Sequence, residues 1–353
     1  MIALLESLIA TPSLSRDEGA TAQLIADWLT ARDCPVQRHG HNVWSTHVSA
    51  FAKTRPDGTR PHLLLNSHHD TVKPAATWTT DPFAPTWEGE RLTGLGSNDA
   101  GGPLVCLLET FVRLKDADLP FDLTVAATAE EEISGPGGIA SIVSLLPPVT
   151  CAIVGEPTSL EVAVAEKGLV VIDGVTTGVS GHAARSEGAN ALYRALDDVQ
   201  ILRKYAFAET SEQLGPILVT TTQIEAGTQH NVVPDTCRFV VDVRTTDAYA
   251  NEDTVAQLQA AVSAHTTLTP RSTRLQPSGL SPKHPLYRRA VGEMGLRPYG
   301  SPTLSDQALM PFPTLKLGPG DSARSHTAQE HIYRGELAAG VETYVKLVRG
   351  LRL

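Results

Sequence analysis

The chain has 353 residues, of which 41% are hydrophobic and 19% charged, and a formal net charge of −10. That length predicts two domains rather than one core. The acidic balance, with no block of consecutive basic residues, argues against nucleic acid or a membrane surface as partner.

No apolar run is long enough to span a bilayer. The four cysteines, Cys34, Cys106, Cys151 and Cys237, are widely spaced with no Cys-x-x-Cys pair, a usage expected of reduced thiols in a cytoplasmic protein. The opening segment Met1-Ile2-Ala3-Leu4-Leu5-Glu6 has no basic lead-in and reads as an amphipathic first helix, not a signal peptide. A second helix is predicted over 17–30, with Ala22, Ile25, Ala26 and Leu29 on one face. Two short strands are expected within 34–48, and Asp57-Gly58 is a turn before the strand that opens at His62.

That strand carries Leu63-Leu64-Leu65, an unbroken apolar run that reads as buried on both faces. It ends in Asn66-Ser67-His68-His69-Asp70-Thr71-Val72. Strand periodicity turns His68 and Asp70 to one side, where the carboxylate can orient the imidazole and leave its other nitrogen for a metal. A glycine-punctuated loop, Gly94-Leu95-Gly96-Ser97-Asn98-Asp99, then leads into a helix with Leu104, Leu107, Leu108 and Phe111 at helical spacing. A strand over 121–127 runs into Glu130-Glu131-Glu132, a helix follows Pro136-Gly137-Gly138, and a strand over 151–154 ends at Gly155-Glu156-Pro157. Strands alternating with helices indicate an α/β domain with a largely parallel sheet.

After Lys167 the order changes to strand 169–178, helix 187–205, strands 217–224 and 236–244, helix 252–264 and strand 272–276. In the first of these helices Leu192, Ala195, Leu196 and Val199 are expected to face inward. Strand–helix–strand–strand–helix–strand is the order of a ferredoxin-like unit. The mixed pattern resumes with a strand over 314–317 and a C-terminal helix over 330–349, with Leu337, Val341, Tyr344, Val345 and Val348 aligned. The expected division is therefore a discontinuous domain, 1–166 and 283–353, interrupted by an inserted α+β domain, 167–282.

In the discontinuous domain, histidines and carboxylates gather just past strand ends, where open α/β sheets bind ligands. His68, Asp99, Glu132, Glu156 and His326 would supply the mixed nitrogen and oxygen donors that zinc accepts, as do cobalt and manganese. Carboxylates converging on one crevice repel unless cations neutralise them. Singly, each motif has a plain reading: a polar strand end, a solvated acidic loop, a turn, a loop histidine. Their order along one chain points to a shared centre.

The set of motifs resembles the di-zinc metallohydrolases that include acetylornithine deacetylase, succinyl-diaminopimelate desuccinylase, aminoacylase and carboxypeptidase G. The matching segments are 67–72, 94–99, 128–132 and 154–158, with Gly181-His182, Asn231-Val232-Val233-Pro234-Asp235, Ser305-Asp306 and Gly318-Pro319-Gly320 with His326. His69 departs from the family, which more often has a small or apolar residue there. The resemblance implies a zinc-exopeptidase-like fold: a mixed, largely parallel sheet sandwiched by helices, with an inserted ferredoxin-like dimerisation or lid domain.

It also implies two divalent ions, zinc foremost, bridged by Asp99, with His68 and Glu156 on one and Glu132 and His326 on the other. Asp70 would orient His68, and Glu131 would be the general base. His182 would stabilise the oxyanion. Asn231 and Arg244 resemble the groups that take the substrate carboxylate, and Arg185, Ser305 and Arg324 are expected to line the pocket.

The implied protein is a homodimeric N-acyl amino acid amidohydrolase, nearest the acetylornithine deacetylase type of arginine biosynthesis and its citrulline variants. The acyl group, acetyl or succinyl, stays open. A di-zinc dipeptidase or aminopeptidase, and a metal-dependent binding or assembly protein without catalysis, are the alternatives. Glu131 speaks against the last, since a structural metal site needs no proton shuttle.

Overall fold

The strand His62–His68 is buried along its whole length and lies between two parallel neighbours, Asp122–Thr128 and Cys151–Val154. Leu63, Leu64 and Leu65 are inaccessible to solvent, as an unbroken apolar run in a doubly covered sheet requires. The computed structural model describes residues 1–185 and 187–353. Across the central sheet the order is Gln37–His39, Asn42–His47, Asp122–Thr128, His62–His68, Cys151–Val154, Thr314–Lys316, Val162–Glu166 and Ser278–Gly279. Thr314–Lys316 is parallel to Cys151–Val154, whereas Asn42–His47 and Val162–Glu166 run antiparallel to their neighbours. The sheet is mixed with a parallel centre.

The helices Ile2–Ile9, Gly19–Thr30, Gly102–Leu114 and Arg334–Gly350 bury their apolar faces in one core with the sheet. Leu104, Leu107, Leu108 and Phe111 from one helix and Leu337, Val341, Tyr344 and Val348 from another lie in that core. Pro103 fits the first turn of its helix, where an N–H has no intrahelical acceptor.

Contacts divide the chain into one unit of Met1–Val164, Gly279–Tyr299 and Ser305–Leu353, and a second of Ala165–Ser278 and Gly300–Leu304. The second unit has a four-stranded antiparallel sheet ordered Leu218–Ala226, Thr236–Thr245, Gly168–Thr177, Thr266–Pro270. Burial alternates along Gly168–Thr177, so one face packs inward. Helices Ala191–Lys204 and Asn251–Ala261 supply Ala195, Leu202 and Leu258 to a core with Val170, Ile172, Phe239, Val241 and Val243. In chain order the sheet runs 2-3-1-4, a ferredoxin-like arrangement inserted in the α/β unit.

Several expected elements shift. The last strand of the inserted unit is Thr266–Pro270, not 272–276. Its Thr-Thr-Leu-Thr run alternates exposed and buried positions, and Pro270 ends it. The helix expected from 187 begins at Ala191, because the Asn190 side chain accepts the N–H groups of Leu192 and Tyr193 as its cap. Leu196 is 44% exposed rather than inward. The C-terminal helix starts at Arg334, four residues late, since His331–Tyr333 pairs as a strand with Arg91–Thr93. That strand and the hairpin Thr86–Glu88/Arg91–Thr93 form a small separate sheet the sequence reading lacked, as it lacked Val162–Glu166. Among the described residues no helix is long and apolar enough to cross a membrane.

Candidate active site

Strand His62–His68 delivers His68 to the carboxyl end of the parallel sheet, with the imidazole buried. Its Nδ1 lies 3.0 Å from the Asp70 carbonyl oxygen and 3.3 Å from Asp70 Oδ1. Those acceptors hold a proton on Nδ1, the arrangement that would leave Nε2 for a metal ion. Nε2 is 3.2 Å from Asp99 Oδ1 and 3.8 Å from both Glu131 Oε2 and Glu156 Oε1. Burial works to lower the imidazolium, but Glu131, Asp70, Asp99 and Glu156 together raise it well above the usual histidine range.

Asp70 holds more than the histidine. Its Oδ1 accepts the Glu131 N–H at 3.0 Å, and Oδ2 accepts the Glu132 N–H at 3.2 Å and the Ser15 hydroxyl at 2.7 Å. Burial opposes ionisation, yet these donors and His68 keep the carboxyl below the usual range. Glu130 precedes the turn with φ 55, a left-handed conformation uncommon for a side chain of its kind. Its N–H goes to Glu18 Oε1 at 3.1 Å. Three successive amides of the acidic turn are therefore each anchored on a buried carboxylate, and backbone strain of this kind clusters at functional sites.

Asp99 follows the loop after Arg91–Thr93 with non-helical φ −119 and ψ 100, and the Asp99–Ala100 peptide is cis. Its two oxygens face different histidines: Oδ1 faces His68, while Oδ2 lies 3.6 Å from His326 Nε2. His326, on the loop after Thr314–Lys316, has φ 59 and meets Glu132 Oε2 at 3.0 Å. That hydrogen bond to Glu132 raises its imidazolium to about 9.

His68, Asp99, Glu132, Glu156 and His326 thus meet at one end of the sheet, with Glu131 among them. Ligand atoms of His68, Asp99 and Glu132 all lie within 4.8 Å of one another, as do those of His68, Glu131 and Glu156. Two donors each about 2.1 Å from one zinc stand no more than about 4 Å apart, so small adjustments suffice. The charge balance asks for cations. Burial, then Asp99, pushes Glu156 up to about 8, and burial with Glu156, Asp306 and Glu132 raises Glu131 well above the usual range. The donor chemistry therefore fits a pair of divalent ions.

His69, between His68 and Asp70, points elsewhere. Its Nδ1 meets Thr21 Oγ1 at 2.9 Å and its Nε2 the His41 carbonyl at 3.1 Å, and burial keeps it neutral, down to about 4.

The expected substrate residues are divided between the two units. In the inserted unit, His182 is exposed on a short strand paired with Val232–Val233, its Nδ1 accepting the Ala184 N–H. Arg185 and Asn231 are exposed, and the Asn231 carbonyl accepts the Ala183 N–H. Arg244 sits on Thr236–Thr245, where its guanidinium grips Asp242 at 2.8 and 3.2 Å. In the first unit, buried Ser305 caps the Asp306–Leu309 turn. Arg324 makes a bidentate pair with Glu336 at 2.8 and 2.9 Å. The forks of both arginines are engaged.

Three supporting groups, Ser15, Glu18 and Glu330, escape the sequence analysis, and Asp306 is matched there as a motif residue without a role. Asp306 is buried, accepts from Asn66 and Thr128 at 2.7 Å each, and is pushed up to about 6, chiefly by burial. Asp306 stood in a recognisable Ser-Asp pair; nothing local marked the others.

A model of peptidase family M20/M25/M40 matches residues 64–350. An acetylornithine deacetylase of Pectobacterium carotovorum subsp. carotovorum (strain PC1) is 30% identical over 358 residues, covering 94% of this chain and 92% of its own. One from Edwardsiella ictaluri (strain 93-146) is 27% identical over the same shares. Among solved structures, the aminopeptidase PepT of Bacillus cereus superposes with a TM-score of 0.79 at 19% identity, covering 98% of this chain and 96% of that one. The Bacillus subtilis YXEP protein, described as a dinuclear metal-binding peptidase of the M20 family, superposes at 0.75 with 16% identity and the same coverage. With the family match running over most of its length and relatives aligned over 94% of it, the chain belongs to peptidase family M20/M25/M40.

Proposed function

We propose that the protein is a metal-dependent amidohydrolase that removes an N-acyl group, acetyl or succinyl, from an amino acid. N-acetylornithine or N-acetylcitrulline, in arginine biosynthesis, is the expected substrate. The observation that carries this is the convergence of His68, Asp99, Glu132, Glu156 and His326 at one end of the sheet, with Glu131 in their midst. The names of the curated relatives favour acetylornithine.

Two divalent ions, zinc foremost and cobalt or manganese as substitutes, would be held by those five side chains and would supply Lewis-acid charge and a more acidic attacking water. Asp70 keeps the His68 ring oriented. Glu131 takes the proton of the attacking water and returns it to the leaving nitrogen, a role suited to a carboxylate that stands among the would-be ligands, with Oε2 3.8 Å from His68 Nε2. His182 is our proposed oxyanion donor. Asn231 and Arg244 are assigned the substrate carboxylate, which requires Arg244 to share or leave Asp242. Arg185, Ser305 and Arg324 are assigned the pocket wall.

The second reading, a dipeptidase or aminopeptidase, draws on the peptidase names of the structural neighbours. Initial rates on N-acetylornithine, N-acetylcitrulline, their N-succinyl counterparts and dipeptides, with zinc or cobalt added, separate the two. The deacylase reading expects kcat/KM at least about 100-fold higher on one N-acyl amino acid, since a site built for a blocked amine leaves buried groups unpaired around a free one. Faster dipeptide hydrolysis would overturn it.

We also infer a homodimer and a cytoplasmic setting. All four thiols are buried and unpaired, a state kept in a reducing compartment. Leu218–Ala226 stands at its sheet's edge, with Leu218 49% and Ile224 45% exposed, and Tyr193 and Ile201 are exposed on the helix packed against it. Such an edge is a template for a second copy of the chain. Light scattering on the purified protein is expected to give twice the 37.6 kDa chain mass; a monomer would contradict this.

A further inference from the structure

Glu330 has 1% of its surface exposed and belongs to none of the motifs that carry the proposed chemistry. One of its oxygens, Oε1, accepts two backbone N–H groups, Asn98 and Asp99, each at 2.9 Å. Its own backbone is fixed by the small sheet: His331 pairs with Thr93, and the Gly94 N–H donates to the Glu330 carbonyl at 3.0 Å. Both amides lie at the start of the Ser97–Gly101 turn, where N–H groups have no acceptor within the turn itself.

A second tie joins the same segments. Asn98 Oδ1 accepts the Asp321 N–H at 3.0 Å, and Nδ2 donates to the Asp321 carbonyl at 3.1 Å and to Ser325 Oγ at 3.2 Å. The loop carrying His326 is therefore fastened to the loop carrying Asp99 on both sides of His326, by Asn98 at Asp321 and Ser325 and by Glu330 four residues beyond. Between these fastenings Asp99 Oδ2 and His326 Nε2 face each other at 3.6 Å.

We infer that Glu330 is a positioning residue: by holding the Asp99 and Asn98 amides it sets where the Asp99 carboxylate stands between His68 and His326, and hence how tightly the centre holds metal. This rests on the metal reading proposed above. The action is geometric, so side-chain length should matter more than charge. Gln keeps the length and an oxygen that can accept both amides. Asp keeps the charge but falls one methylene short. Ala leaves both amides bare.

The test titrates metal-free full-length protein with zinc alone, against a chromophoric chelator, for wild type, Glu330→Gln, Glu330→Asp and Glu330→Ala. Unfolding temperatures are taken on the metal-free forms. Groups that orient metal ligands typically change affinity by about 10–100-fold when removed. Glu330→Asp and Glu330→Ala are expected to bind zinc at least about ten-fold more weakly, with Glu330→Gln within about three-fold of wild type. Should Glu330→Ala not fold, the Asp and Gln variants decide alone. Wild-type affinity in Glu330→Asp, or a Gln variant as weak as the Asp variant, overturns the inference. So does a lowered metal-free Tm with zinc affinity unchanged, which would make Glu330 a structural residue only. Wild type that takes up no zinc would overturn the metal reading itself and this inference with it; loading of wild type and Glu330→Asp alike overturns only the inference.

Discussion

Glu131→Gln is expected to leave zinc content unchanged and to lower kcat by about 10²–10⁴-fold, the usual worth of a general base. Gln matches Glu in shape and can accept hydrogen bonds, but it cannot carry the proton from water to the leaving nitrogen. The backbone should not move, because the Glu131 N–H stays on Asp70 Oδ1 whatever the side chain. The result also separates two roles that geometry leaves close together. Glu131 Oε2 and Glu156 Oε1 are each 3.8 Å from His68 Nε2, so distance alone does not say which carboxylate is a ligand. Retained zinc with lost turnover assigns the base to Glu131. Lost zinc would make it a ligand, and surviving turnover would put the base elsewhere. Metal analysis by mass spectrometry beside steady-state kinetics reads both.

Asp99→Ala is expected to weaken zinc binding at least about 100-fold, more than loss of any supporting group, and to abolish activity with it. Each oxygen of Asp99 faces a different histidine, at 3.2 and 3.6 Å, so this one side chain would serve both ions of the proposed centre. Its removal also takes away the charge that best offsets a pair of cations at that point. The metal-free variant should unfold near the metal-free wild-type temperature, since the amides of Asn98 and residue 99 remain on Glu330. Two zinc ions per chain in Asp99→Ala, measured after equilibrium dialysis, would show that it does not bridge.

How much of this the sequence disclosed depends on where each group sits. His68, Glu131, Glu132 and Glu156 follow buried strands directly, and the strands are legible because Leu63-Leu64-Leu65 and Cys151-Ala152-Ile153-Val154 are short apolar runs. A rigid strand end projects its last side chains into the crevice, so finding the strand nearly finds the site. Glu18 and Glu330 are different. Each acts on amides far away in the chain, Glu18 on residue 130 and Glu330 on residues 98 and 99, and such reach is set by tertiary packing. No local pattern separates them from the many surface glutamates.

The inserted unit shows the same division. Its strand and helix order was readable, and the ferredoxin-like arrangement follows from it. The last strand was misplaced because 272–276 and Thr266–Pro270 are both short polar-apolar stretches, and the partner Gly168–Thr177 chooses between them. Leu196 turned outward because its helix packs chiefly through Ala191, Ala195 and Leu202, which leaves an apolar stripe beside the sheet edge. Competition is equally invisible in sequence: Asp242 and Glu336 occupy the guanidinium forks that residue type alone offered to a substrate.

Anomalous diffraction at the zinc edge, from crystals of the wild-type protein loaded with zinc, tests the central claim most directly. The expected result is two peaks about 3.5–4 Å apart, both within bonding distance of Asp99, one beside His68 and Glu156 and the other beside Glu132 and His326. No peak among these five side chains, or zinc bound only elsewhere on the molecule, would contradict it.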